Sequence, residues 1–381
     1  MTSDFKFRAR LLSGIKRYFS DLDKLLVTVV TILLVAGLFT INSATKSTEI
    51  NERCMQIQIA AIILGFIAMI VVSKIDYEKL SGFSVYIVIA SFVLLLLTAI
   101  FAPEINGNKN WILIGSVNIQ PSEFTKLCFA VTMSAHISRT GEEMNKLRNI
   151  LAVSVHFLFY FIPVVLQGDI GTAIIYMGMF IVIVFVAGIK YRYMIAGLVG
   201  AIAAVPIVWS LLKTYQKERI LYGFYPERDP LGRGYQPLAS RMAIGSGQLF
   251  GMGYEQGIQS QNNLLPANHT DFIYAVVGEE WGFVGCIAVM LLLVVVVVLI
   301  VRNALRAKDR QGYLICMTIA AMIISQSVIN IGMCIGVSPV IGITLPFFSY
   351  GGSSVLSMLM AIGLVQSVCV KPEKPLKFKF K

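Results

Sequence analysis

The sequence predicts an all-α polytopic membrane protein of about ten transmembrane helices, and three observations carry that prediction. Hydrophobic residues make up 56% of the 381 and charged residues only 14%, with a mean hydropathy of +0.75. The apolar residues fall in runs of about twenty, the length that crosses roughly 30 Å of hydrocarbon at 1.5 Å per residue. The 32 Lys and Arg, against 21 Asp and Glu, gather in alternate connections between those runs. The first two observations exclude a soluble enzyme and a β-barrel. The third excludes a nucleic-acid partner, because the +11 charge forms no basic stripe on one soluble face.

The elements follow in order. A hydrophilic, basic segment, 1–23, reads as a cytoplasmic tail. The first span, 24–43, ends in Ile41-Asn42-Ser43-Ala44 with further spans behind it, and so reads as a retained helix and not as a cleaved signal peptide. Spans 57–73 and 81–102 are apolar runs set apart by Lys74 and Lys79. Span 122–138 opens at Pro121, suited to a first helical turn, and closes before Arg139. Spans 149–166 and 171–189 meet at Gln167-Gly168-Asp169, and 193–212 follows Lys190 and Arg192. Spans 272–301, 313–336 and 346–370 complete the set of ten. All are helical, because lipid offers no partner to a free backbone.

Most of the Lys and Arg lie in 1–23, 74–79, 139–148, 190–192, 302–310 and 371–381. The positive-inside rule therefore puts both termini in the cytoplasm. The chain divides into the N-terminal tail, one membrane domain over 24–370, and a basic tail, 371–381, that anchors on the inner leaflet. One connection, 213–271 between spans seven and eight, lies outside and is far longer than closure requires. It keeps apolar positions such as Leu238, Met242, Ile244, Leu249 and Phe250, which predicts short helices at the outer interface. The six cysteines, Cys54, Cys128, Cys286, Cys316, Cys334 and Cys369, show no CxxC spacing and read as small core residues.

With that topology the polar clusters all face outward. Gln120-Pro121-Ser122-Glu123 with Lys126 opens span four, Gln167-Gly168-Asp169 turns into span six, and His269-Thr270-Asp271 opens span eight. Leu345-Pro346-Phe347-Phe348-Ser349-Tyr350-Gly351-Gly352 opens span ten. Helix N-termini carry unpaired N–H groups, so several aimed at one place suit an anion such as a pyrophosphate. Asp271, at the mouth of span eight, either caps that helix or, partly out of water, accepts a proton as a base. Glu123 and Lys126 share a helix face and either neutralise each other or leave Lys126 for a phosphate or the headgroups. Glu279 and Glu280 lie about two turns deeper, where either a structural or a chemical role satisfies a buried acid. Asp169 has the same two readings, with capping favoured. Gly245-Ser246-Gly247 lacks the strand and the glycine spacing of a nucleotide loop, and His136, His156 and His269 lack metal-ligand spacing.

Taken together these motifs resemble the SEDS family of bacterial shape, elongation, division and sporulation proteins (RodA, FtsW, SpoVE), with the RodA branch nearest. The resemblance rests on Asn106-Gly107 with Trp111, Gln120-Pro121-Ser122-Glu123, Asp169-x-Gly171-Thr172 and Ala243-Ile244-Gly245-Ser246-Gly247. It rests further on His269-Thr270-Asp271-Phe272-Ile273 with Gly278-Glu279-Glu280, and on Leu345 to Ser354. It implies a peptidoglycan glycosyltransferase in the bacterial cytoplasmic membrane that polymerises lipid II on the outer face, in cell elongation. Asp271 would be the general base that deprotonates the acceptor GlcNAc 4-hydroxyl. Substrate contacts would come from Gln120, Glu123, Lys126, Asp169, Ser349, Tyr350 and Glu279, with Lys126, Arg241, Lys109 or a divalent cation (Mg or Mn) on the diphosphate. The family commonly has a basic residue just before the tryptophan, where this chain has Asn110. The expected partners are a class B penicillin-binding transpeptidase and other elongation-complex membrane proteins.

Two other classes compete with that reading. A lipid II flippase would use ten helices with ionisable residues inside, but alternating access predicts inverted repeats and a midplane site, and neither is seen. A non-catalytic scaffold for a transpeptidase would have no use for an acid placed as a base.

Overall fold

The computed structural model describes residues 22–369 except 106, 116 and 213. The basic tail 371–381 and nearly all of 1–23 lie outside the described residues. The ten predicted spans each fall on a long helix: α1 (Lys24–Thr45), α2 (Asn51–Lys74), α4 (Ser84–Phe101), α5 (Pro121–Thr140), α6 (Leu147–Leu166), α7 (Ile170–Val186), α8 (Tyr191–Leu211), α12 (Ile273–Leu305), α13 (Arg310–Ile335) and α14 (Gly352–Cys369). A short α3 (Tyr77–Gly82) precedes α4. Seven of these helices, α1, α2, α4, α6, α12, α13 and α14, are by themselves long and apolar enough to cross a membrane. α5 is more polar, and it lies inside the bundle, where Glu123 and Lys126 are shielded by protein. Helix starts follow local chemistry: Asp23, Asp76, Asp169 and Asp309 each accept a backbone N–H from the first turn of α1, α3, α7 and α13.

The segment before α5 forms a hairpin, β1 (Ile112–Ile114) antiparallel to β2 (Val117–Ile119), in the register Ile112 to Ile119. The long connection does not merely lie at the interface. It contains α9 (Thr214–Phe224), α10 (Tyr235–Ser246) and α11 (Ile258–Gln261), and after α10 it enters the bundle and breaks α12.

That break is at Gly282, whose φ of 68° has no place in a helix. Residues 248–253 supply the hydrogen bonds that the interrupted turn lacks. Met252 and Gly253 N–H donate to the carbonyls of Glu279 and Glu280, and Phe283 and Val284 N–H donate to those of Gln248 and Leu249. The two backbones come so close that a Cβ on Gly251 or Gly282 would meet the other segment's backbone, so glycine is required on both sides. Non-helical backbone at this depth is tolerated because protein buries it.

α14 lies at the centre, packed against α2, α5, α12 and α13. Small residues permit the approach: a Cβ on Gly363 would stand 2.7 Å from the Met69 carbonyl of α2, the close packing expected where lipid gives helices no hydrophobic drive to associate. At the end of the bundle where α1 begins, polar staples join the elements. Asp23 accepts from Arg302 at 2.7 Å and Asn303 at 2.9 Å, and its backbone exchanges hydrogen bonds with Gln366. Tyr77 donates to Asp309 at 2.9 Å, Lys308 pairs with Glu78, and Arg310 donates to the carbonyls of Gly141 and Ala187.

Candidate active site

At the opposite end a cavity of roughly 590 Å³ opens among the N-termini of α2, α5, α7 and α14, the loop before α12, and the extended segment 341–344. That volume lies in the range of small-molecule sites. The folding of the loop before α12 aims Asp271 at it. The Asp271 carbonyl accepts from Asn330 Nδ2 of α13 at 2.8 Å, and the same amide donates to the Ile343 carbonyl at 2.6 Å. Ser349 Oγ donates to the Thr270 carbonyl at 2.6 Å, and Tyr350 N–H to the His269 carbonyl at 2.9 Å. Ser349 Oγ also accepts the Leu345 N–H, while Gln58 of α2 bonds Ser349 and Gly351. Gly342, at φ 72°, lies close beside Asp271 Oδ2.

Three acids line this cavity, and they differ in what they already hold. Asp169 accepts from Thr172 N–H and Oγ1, from Asn110 Nδ2 at 2.7 Å and from Gln120 Nε2 at 3.0 Å. Glu123 pairs with Lys126 at 2.8 Å and accepts from Ser357 at 2.9 Å. Both carboxylates are filled by protein donors. No hydrogen bond to the Asp271 carboxylate forms among the described residues; Arg219 of α9, also on the wall, acts on it through its charge. Its remaining accessible surface faces the cavity, and protein surrounds the rest. Burial therefore pushes its pKa up to about 6, with Arg219 opposing. Burial also lowers His269, whose ring lies 5.5 Å from that of Tyr350.

Of the residues expected to bind substrate, Gln120, Glu123, Asp169 and Tyr350 line the cavity with Asp271. The others are placed elsewhere. Lys126 is fully buried on its ion pair. Ser349 is consumed in holding the loop of Asp271. Glu279 accepts the N–H groups of Gln259 at 2.6 Å and Ser260 at 3.0 Å, fastening α11 to α12, while Glu280 accepts from Ser43 at 2.5 Å. Arg241 spans from Glu227 at 3.3 Å to the Gly336 carbonyl at 3.2 Å, at the C-terminal end of α13, where a cation is favoured. Lys109 is not on the wall, and its N–H donates to the Gln167 carbonyl at 2.8 Å. The cations that do line the cavity are Arg53 and Arg219. Sequence reasoning missed both, since one begins α2 and the other lies in the long connection. It also missed Asn108, Gln326 and Thr344 on the wall. As for the divalent cation, the described residues contain no group of three or more His, Cys, Asp or Glu able to hold a metal ion.

The sequence profile of the FtsW/RodA/SpoVE cell cycle proteins matches residues 23–374. Stage V sporulation protein E of Bacillus subtilis (strain 168) is 36% identical over 355 residues, covering 91% of this chain and 96% of that protein. Peptidoglycan glycosyltransferase MrdB of Escherichia coli (strain K12) is 33% identical over 354 residues, covering 91% and 93%. Among solved structures, a chain from a peptidoglycan synthase complex that coordinates polymerization and crosslinking superposes with a TM-score of 0.79 at 30% identity, covering 91% of this chain and 97% of that one. Rod shape determining protein RodA of Thermus thermophilus gives a TM-score of 0.70 at 26% identity, covering 93% and 98%.

Proposed function

The chain belongs to the FtsW/RodA/SpoVE family of cell cycle proteins, and from that premise we propose that it is a peptidoglycan glycosyltransferase that polymerises lipid II, with Asp271 as general base. The observation that carries this reading is the contrast among the three wall acids. Asp169 and Glu123 commit their oxygens to protein donors, whereas Asp271 is held by its backbone and faces the cavity. A pKa near 6 leaves it ionised at neutral pH and a stronger base than an ordinary aspartate.

In the proposed reaction Asp271 takes the proton of the GlcNAc 4-hydroxyl of lipid II. The oxygen attacks the anomeric carbon of the glycan chain's MurNAc, the bond to the diphosphate breaks with inversion, and undecaprenyl pyrophosphate leaves. No protein nucleophile is needed. Charge developing on the departing diphosphate calls for fixed cations, and Arg53 and Arg219 are the wall residues with that chemistry. They replace Lys126, Arg241 and Lys109 in this role.

The reading places the cavity on the outer face of the bacterial cytoplasmic membrane, because the Lys- and Arg-rich connections lie at the stapled end. Both termini, including the tails 1–23 and 371–381, then fall in the cytoplasm. A flippase would have to open the end that Asp23, Asp309 and Arg310 fasten, which favours the enzyme over the transporter. The chain then works beside a class B penicillin-binding transpeptidase, as suits its likeness to a synthase that couples polymerization to crosslinking, and serves cell elongation. The test is glycan synthesis by the purified protein, with and without that transpeptidase, from lipid II. Wild type makes polymer and a folded Asp271→Asn variant makes none. Translocation of lipid II across reconstituted vesicles without polymer would instead identify a transporter. Rounding of rod-shaped cells on gene deletion checks the elongation role.

A further inference from the structure

Three amides on the cavity wall, Asn108, Asn110 and Gln326, keep a buried oxygen without a partner among the described residues, and Gln326 is the one on the helix that holds Asp271. Gln326 of α13 is 1% exposed, lines the cavity, and its Oε1 has no hydrogen-bond partner among the described residues. A leucine or methionine would fill the same space without leaving a buried acceptor unpaired, an arrangement that protein interiors seldom leave standing. With its oxygen unpartnered, the amide has an acceptor to offer a ligand, and its N–H groups are the matching donors.

Its position is informative. Gln326 stands four residues before Asn330, whose amide holds the backbone of Asp271, and so lies just over one turn, about 6 Å, deeper on the same face of α13. That is about the width of a pyranose ring. Gly178 of α7 packs on Ser325, the neighbour of Gln326, and Ile175, nearly a turn nearer the mouth on α7, lines the cavity together with Ile343. The nearest acid along the wall of α5, Glu123, has its oxygens taken by Lys126 and Ser357. A neutral amide is a poor place for a phosphate, which needs cations or clustered N–H donors. It suits a small neutral group with one donor, one acceptor and a methyl, and an acetamido substituent has that composition.

We infer that Gln326 reads the 2-acetamido group of the sugar whose hydroxyl Asp271 deprotonates, pairing amide to amide while the methyl rests on the apolar wall. The inference rests on the function proposed above and adds to it a specificity residue, one that separates 2-acetamido sugars from plain hexoses. A buried amide left unpaired by the wrong sugar is the physical source of such discrimination.

The test is steady-state polymerisation by the full-length protein, using lipid II and an analogue whose GlcNAc carries a hydroxyl in place of the acetamido group. Gln326→Met raises KM for lipid II about tenfold and leaves kcat within about twofold. Wild type shows a similar rise with the analogue, and the variant shows no further rise, because the same contact is already gone. Independent, multiplying losses from the substitution and from the analogue would overturn the inference, as would an unchanged KM. Should Gln326→Met fail to fold, Gln326→Asn, whose amide is one methylene short, carries the same expectation of a raised KM, and an unchanged KM again overturns it. Wild type that makes no polymer from lipid II would sink the function itself, and this inference with it. Polymer made equally well by wild type and Gln326→Met removes only the role of Gln326.

Discussion

Replacing Asp271 by asparagine should abolish glycan synthesis and at the same time make the protein more stable. The carboxyl moves from an ordinary value of 3.8 to about 6 in the folded protein, chiefly because burial disfavours its charge. At 1.36 kcal/mol per pH unit, that difference amounts to about 3 kcal/mol of folding stability lost when the group ionises. The sign follows from its folded value lying above its unfolded one. The native state binds the proton more tightly, so the contribution is intact below pH 3.8 and disappears as pH rises through about 6. A side-chain amide at this position carries no charge at any pH, and the Asp271→Asn protein therefore matches wild type near pH 3.8 and exceeds it by about 3 kcal/mol above pH 6. Thermal unfolding of the detergent-solubilised protein, followed by tryptophan fluorescence across pH 4–8, measures the difference. Polymerisation should fall by about 10²- to 10⁴-fold, and the wild-type rate should climb to a plateau with a midpoint near pH 6. A variant no more stable than wild type at neutral pH would refute the desolvation argument, and one that still polymerises would refute the base assignment.

Further predictions concern the scaffold around that carboxylate. Asn330→Leu strips partners from the carbonyls of Asp271 and Ile343, and should cost about 2–4 kcal/mol in an unfolding assay, with kcat reduced more than KM. Gly251→Ala should block accumulation of folded protein, since its φ is 82° and its Cβ would meet the Glu280 carbonyl. Gly245→Ala, in the same glycine-rich stretch but with open space around it, should be neutral or gain about 0.5–1 kcal/mol; size-exclusion profiles and melting curves compare the pair. Lys126→Met, which leaves Glu123 buried and unpaired, should destabilise by about 3–5 kcal/mol, and adding Glu123→Gln should recover most of it in the same melting assay.

Much of this was legible in the sequence, and the exceptions have physical reasons. Apolar runs locate the long helices because lipid fixes their length, and Asp271 is recognisable because an acid at a span mouth is costly. Capping at Asp169 is equally visible, since a cap needs only residues three apart. What sequence could not show is the break in α12: the run 272–301 reads as one span with two acids inside it, and only the insertion of residues 248–253 makes Gly282 leave the helix. The same holds for the start of α14, delayed to Gly352 because Leu345–Tyr350 is consumed in holding the loop of Asp271. Arg53 and Arg219 reach the wall through tertiary packing of segments far apart in the chain, as does Gln326. Arg241 and Glu279 are charged residues near the right end of the bundle, yet each is satisfied by backbone groups of a neighbouring segment.

The fastening of residues 269–271 by Asn330, Ser349 and Tyr350 has a bearing on genetics. The ties from Asn330 and Ser349 run from side chain to main-chain oxygen, and neither residue lines the cavity, so a lesion in either displaces the carboxylate without removing an atom that a sugar would meet. Inactivating alleles should consequently scatter over a territory much broader than the chamber itself, and a map drawn from them alone would exaggerate its size.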